Sequence, residues 1–165
     1  MKMKGVWGHP KGQKTEMPDV PSRGELITKL NSIQDLRDKA LCSVAYLTAD
    51  RIQEILSIYK GDITKTKRYG CEWLMINMKR EKITDKKFHR KIIPINIEKE
   101  KDFVSPILKY LEIYKGDKLF NITPQRAWQL IKRHFGFHPH FFRHIRLTHL
   151  VTVYDFGEQE LMQYA

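Results

Sequence analysis

The chain has 165 residues, 41% hydrophobic and 30% charged, enough apolar content for one folded domain and too much for a wholly disordered chain. Its formal net charge of +11 calls for a polyanionic partner, with nucleic acid first. No apolar run reaches bilayer-spanning length, and the lysine-rich start lacks the apolar stretch of a signal peptide. The two distant cysteines, Cys42 and Cys71, read as reduced thiols, so a cytoplasmic protein with no membrane partner is expected.

Residues 1–21 carry Gly5, Gly8, Pro10, Gly12, Pro18 and Pro21 among lysines. That is too punctuated for a helix and reads as a basic linker or arm, leaving residues 22–165 as the domain. Leu26, Ile27, Leu30 and Ile33 open an apolar pattern at helical spacing. A longer helix is expected from about Gln34 to Leu47, with Leu36, Ala40, Leu41, Val44 and Leu47 on one face. A short helix holding Ile52, Ile55 and Leu56 ends near Gly61. Two β-rich runs follow, Trp73 to Met78 and Arg90 to Ile97. The lysine-dense stretch between them makes a β-hairpin with a long basic turn. Helical spacing returns at Phe103, Ile107, Leu108 and Leu111. Thr123 caps the next helix, with Pro124 at its first position and Ala127, Trp128, Leu130 and Ile131 behind it. Pro139 opens a helix containing His140 to Val153. After Gly157, Glu158 to Ala165 begins a last one. The fold class is mainly α with a small antiparallel β-sheet (α+β).

The densest chemistry lies in "HPHFFRHIRLTHL". On a helix His140 and Arg143 share a face. An imidazole can pass a proton while a guanidinium beside it holds a phosphate bidentately, which suits work on a phosphodiester. The plainer reading is a His and an Arg covering a helix surface. His140 and His144 have the spacing of some zinc helices, but no Glu lies between them and no Cys is nearby, so no metal is expected. Trp73, Trp128, Phe141 and Phe142 are read as core rather than as base-stacking platforms.

The segment "RDKALCSVAYLTADRIQEILSI" resembles the first box of the tyrosine recombinases (phage-integrase type), where a helix ends, turns and presents an arginine followed by a glutamate, here Arg51 and Glu54. "HFFRH" resembles the second box, an HxxR motif at the start of a helix. Between the boxes the family has a β-hairpin whose turn carries a catalytic lysine, and "INMKREK" leading to "HRKIIPI" looks like that hairpin. The resemblance runs from about Ser22 to Ala165. Each motif alone arises easily by chance; their order and the intervening hairpin carry the joint signal.

The resemblance implies the family's catalytic-domain fold and double-stranded DNA as partner, with other recombinase protomers beside it and no small-molecule substrate. Arg51 and Arg143 would clamp the scissile phosphate and stabilise its pentacoordinate transition state. Lys79 would protonate the leaving 5′-hydroxyl, and His140 would act as acid or base near the attacking oxygen. Lys79 is chosen because it closes the first β-run. Lys82, Lys86 and Lys87 share the turn and, with Arg90, are assigned to the DNA backbone. Glu54 orients the turn. In the family a tyrosine attacks and leaves a reversible 3′-phosphotyrosyl link, so no cofactor is needed.

Two departures stand out. The family's first box carries a glycine shortly before its arginine, where this sequence has Ala49 and Asp50; an acid beside Arg51 is expected to weaken the positive field. The family also places a His or Trp, and then the nucleophilic tyrosine, well after the HxxR arginine. Here only Tyr154 and Tyr164 follow Arg143, the first too near it and the second in the approach to that third motif. The expectation is a site-specific recombinase-like, DNA-binding domain truncated before its nucleophile and unable to cleave DNA alone. The alternative is a non-catalytic DNA-binding regulator of an intact recombinase. An RNA-binding module ranks last, because the aromatic RNP pattern and the GxxG loop are missing.

Overall fold

The computed structural model describes residues 19–81 and 88–161. Lys82, Lys86, Lys87, Tyr164 and residues 1–18 of the expected arm lie outside the described residues. Helix α1 spans Arg23–Asn31, and the Ser22 side chain accepts the Glu25 amide at 3.1 Å, relieving one of the donors a helix start leaves unmet. Helix α2 spans Leu36–Thr48. It begins later than Gln34 because Asp35 serves as its cap, accepting the Asp38 amide at 3.0 Å. Every residue from Ala40 to Thr48 is buried, so α2 is an all-round central helix rather than the one-faced helix its sequence suggested. It packs against α1, α4 (Lys101–Ile113) and α6 (His140–Thr152), and the Tyr46 ring stacks on Phe103 with centroids 4.3 Å apart.

Helix α3 is a single turn, Ile52–Ile55, and the chain then passes through a 3₁₀ turn at Lys60–Asp62. The sheet is three-stranded and antiparallel, in the order β1 (Ile63–Arg68), β2 (Cys71–Glu81), β3 (Phe88–Asn96). Strand β1 was not expected. Its sequence ITKTKR holds one apolar residue, Ile63, so it shows no alternation; it is an edge strand whose lysines discourage further pairing. Tyr69 and Gly70, both with positive φ (54° and 74°), make the two-residue turn into β2. Leu74, Ile76 and Met78 of β2 are buried together with Ile93 and Ile95 of β3, and these side chains form the core face of the sheet.

Helix α5 (Pro124–Phe135) is bounded as its sequence requires: the Thr123 hydroxyl accepts the Arg126 amide at 3.1 Å, and Gly136 ends it at φ 81°. Helix α7 is described over Glu158–Leu161. No helix among the described residues is long and apolar enough to cross a membrane. The architecture is mainly helical with a small antiparallel sheet, as the sequence indicated.

Candidate functional site

The end of α2 and the start of α6 meet at the three-residue loop Ala49–Asp50–Arg51. Ala49 closes α2 in the left-handed region, φ 54° and ψ 30°, with its amide on the Ala45 carbonyl at 3.2 Å. Alanine thus holds the conformation for which glycine is the usual choice, at a cost on the order of 1 kcal/mol. The chain is extended at Arg51, φ −75° and ψ 150°, which starts α3 with its side chain exposed.

Helix α6 places His140 in its first turn and Arg143 one turn further, on the same face. Nη1 of Arg143 donates to the Ala49 carbonyl at 3.0 Å, which ties α6 to the loop that carries Arg51. Crowding by its surroundings, then the charges of Arg143, His138 and Arg51, push the His140 pKa below the ordinary imidazole value. Both arginines thus disfavour its imidazolium form.

Asp50 does not stand beside Arg51 as an exposed acid. Its side chain is 0% exposed, and Oδ2 lies 3.2 Å from Nζ of Lys91. Oδ1 accepts the Arg51 amide at 3.2 Å. The expected weakening of the field is thus met by a lysine that sequence reasoning passed over. Its signal was the pleat: Lys91 pairs with Met78 and shares the parity of buried Ile93 and Ile95.

The same pleat puts Lys79, which pairs with Arg90, on the other face of the sheet. Nζ of Lys79 sits over the Tyr59 ring, 5.3 Å from its centroid, a cation–π contact. Arg90 is exposed. Of the residues singled out from sequence, Arg51, His140 and Arg143 are brought together, while Lys79 projects from the opposite side of β2. Phe141 and Phe142 are core, as expected, but Trp128 is 47% exposed. The apolar stripe of α5 runs through Ala127, Leu130 and Ile131, and Trp128 falls on its solvent side.

A second polar cluster lies deeper, three residues further along α6. Arg146 is buried, and its Nη1 lies 3.1 Å from Glu100 Oε1, while Arg23 Nη2 lies 2.8 Å from Glu100 Oε2. The Arg146 guanidinium also covers Tyr46 at 4.9 Å and Tyr154 at 5.8 Å. His149 Nδ1 lies 2.8 Å from the Tyr46 hydroxyl and Nε2 lies 2.8 Å from the Pro21 carbonyl. A carbonyl only accepts, so Nε2 carries the proton and Nδ1 accepts from Tyr46. Burial and the Glu100 carboxylate push the Tyr154 pKa far up. Burial and the carboxylate thus disfavour its phenolate, against the opposing pull of Arg23 and Arg146. Among the described residues no group of three or more His, Cys, Asp or Glu could hold a metal ion.

No protein-family model and no curated protein sequence matches the chain. Solved structures similar to it include those of two recombinases. XerH site-specific recombinase bound to difH substrate, a pre-cleavage complex, is 19% identical with a TM-score of 0.59, over 90% of this chain and 46% of that one. The same recombinase on a palindromic difH substrate, after cleavage, is 17% identical with a TM-score of 0.61, over 92% and 53%. XerA recombinase is 20% identical with a TM-score of 0.62, over 91% and 56%. The fold is similar to that of site-specific recombinases. The chain spans about half the length of the recombinases it resembles.

Proposed function

We propose that the chain is a DNA-binding, site-specific recombinase-like domain of the integrase type, in which Arg51, His140 and Arg143 grip a phosphodiester of duplex DNA. The observation that supports this most is the meeting of those three side chains where α2 ends and α6 begins, in a fold similar to recombinases solved on DNA substrates. Two guanidiniums at one phosphate offer charge-assisted hydrogen bonds to its non-bridging oxygens. They also favour the extra negative charge of a pentacoordinate transition state. His140 beside them is suited to exchange a proton at the attacking or leaving oxygen. The hairpin is kept as the source of the leaving-group proton, but not through Lys79, which projects from the opposite face of β2 over Tyr59; exposed Arg90 is assigned a contact with the DNA backbone. A covalent phosphotyrosyl route conserves the phosphodiester energy, so the reading needs no nucleotide cofactor.

The nucleophile is not assigned to Tyr154, whose ring lies beside two guanidiniums and a carboxylate. The domain is expected to dock on DNA without cleaving it. Affinity for a mixed-sequence duplex should fall steeply with salt, and an undetectable or salt-independent interaction would count against the reading. A nicked suicide duplex should give no denaturation-resistant adduct. An adduct abolished by Tyr154→Phe or Tyr164→Phe would overturn the second part. An adduct that forms only when a segment with the family's third motif and tyrosine is added marks a competent phosphate site. None under either condition favours the non-catalytic regulator.

A further inference from the structure

We infer that Asp50 and Lys91 form a positioning pair for Arg51, through which the sheet sets where that guanidinium stands. The inference rests on the phosphate-gripping reading above and adds two residues to it. The loop Ala49–Asp50–Arg51 passes in three residues from left-handed to extended backbone. A segment of that kind keeps one shape only when its surroundings over-determine it. Arg143 holds the Ala49 carbonyl at 3.0 Å from the side of α6. From the side of the sheet, Lys91 Nζ holds Asp50 Oδ2 at 3.2 Å, while Oδ1 of the same carboxylate accepts the Arg51 amide at 3.2 Å. One carboxylate therefore links β3 to the backbone of Arg51.

The link is stiff at both ends. Asp50 has a fully buried side chain, and that of Lys91 is 15% exposed. Lys91 also rides on a strand anchored by Ile93 and Ile95, which are almost wholly buried. Stability gives little reason for such a pair. Burying two charges costs about what their attraction returns, and a matched apolar pair serves as well or better. What the pair adds is a tether from β3 to the loop, while the Oδ1 bond to the Arg51 amide sets the carboxylate's direction.

Duplex affinity of the whole chain, measured by fluorescence anisotropy at several salt concentrations, tests the inference, with thermal unfolding run on every variant. Arg51→Ala is expected to weaken binding about threefold to tenfold and to lower the salt slope by about one. The apolar pair Asp50→Leu/Lys91→Met is expected to fold and to reproduce most of that loss, and Lys91→Met, which is less stable because it strips a buried carboxylate of its lysine, to do so in its folded fraction. Adding Arg51→Ala to either should then cost little more, because one interaction has been removed twice. Lys91→Arg should retain the parental affinity. If the apolar pair does not fold, Asp50→Asn reads the Lys91 link alone and should lose affinity in the same non-additive way. A folded apolar pair with parental affinity, in which Arg51→Ala still exacts its full factor, overturns the inference. So does a Lys91→Met loss that simply adds to that of Arg51→Ala, which makes Lys91 a phosphate ligand in its own right. If Arg51→Ala alone leaves binding unchanged, the phosphate-gripping reading fails and the positioning role falls with it, an outcome told apart by that single variant.

Discussion

Helix α6 serves two clusters built from the same residue types and puts them to opposite uses. Near its start, His140 and Arg143 lie toward solvent, and Arg143 is held to the α2 loop through a backbone carbonyl. Further along the helix, Arg146 and His149 are buried, and Arg146 shares the Glu100 carboxylate with Arg23. There the charge is answered inside the protein, and the cluster ties α1, α2, the start of α4 and the end of α6 into one body. On the proposed reading, the difference separates two jobs for arginine: one that grips a phosphate and one that fastens the scaffold behind it.

Removing Glu100 should break the inner cluster with the largest effect. Its side chain is 4% exposed and faces Arg146 at 3%, so Glu100→Ala leaves a buried guanidinium without its carboxylate. A loss of about 3–5 kcal/mol is expected, read as a lower denaturant midpoint, with duplex affinity of the still-folded fraction close to parental. Arg143→Ala should do the reverse: stability changes by about 1 kcal/mol or less, while duplex binding weakens several-fold and the salt slope falls by about one. A variant of either cluster that behaves like the other would erase the distinction.

The sequence disclosed the outer cluster better than the inner one, for a physical reason. His140 and Arg143 are close in the chain and share a helix face whatever the rest of the fold does. Arg51 follows a helix end, and Thr123–Pro124 with Gly136 bounds α5 by purely local chemistry. The inner pairing joins Arg146 to Glu100 across 46 residues and Arg23 to Glu100 across 77. No local pattern encodes such contacts; packing decides them. Lys91 sits between these cases. Its face follows from the parity of Ile93 and Ile95, but its partner Asp50 comes from another element. Strand β1 was hidden because an edge strand with one partly buried apolar side chain, Ile63, needs no apolar alternation, and Trp128 was misplaced by a position at the border of its helix's apolar stripe.

Acid should loosen both clusters, the inner one more. Burial pushes the His149 pKa down; the Pro21 carbonyl opposes this, and the Arg146 and Arg23 charges add to it. His140 and His144 are also lowered, each first by burial. A lowered imidazole means that the unfolded chain binds more protons than the folded one between the two pKa values. Stability is therefore fully present above the ordinary histidine pKa of about 6.5 and declines as pH falls below it. Unfolding midpoints between pH 7.5 and 5 should drop accordingly. His149→Gln should flatten that decline more than His140→Gln, because His149 loses its acceptor role toward Tyr46 on protonation while His140 stands at the surface. A decline unchanged in His149→Gln would remove the inner histidine from the account.

The smallest effect is expected at the hinge of the outer cluster. Ala49→Gly relieves a left-handed β-carbon, worth about 1–2 kcal/mol. It also frees the unfolded chain, costing about 0.4–1 kcal/mol, and removes a fully buried methyl, costing about 0.8 kcal/mol. These terms nearly cancel, so the unfolding free energy should move by less than about 1 kcal/mol in either direction. The informative readout is binding. With Arg143 on the residue-49 carbonyl and Asp50 held by Lys91, the loop has two external restraints besides its own backbone preference, so glycine should leave duplex affinity and salt slope at parental values. A fall in affinity at constant stability would mean that the alanine methyl, rather than those two contacts, keeps Arg51 in place.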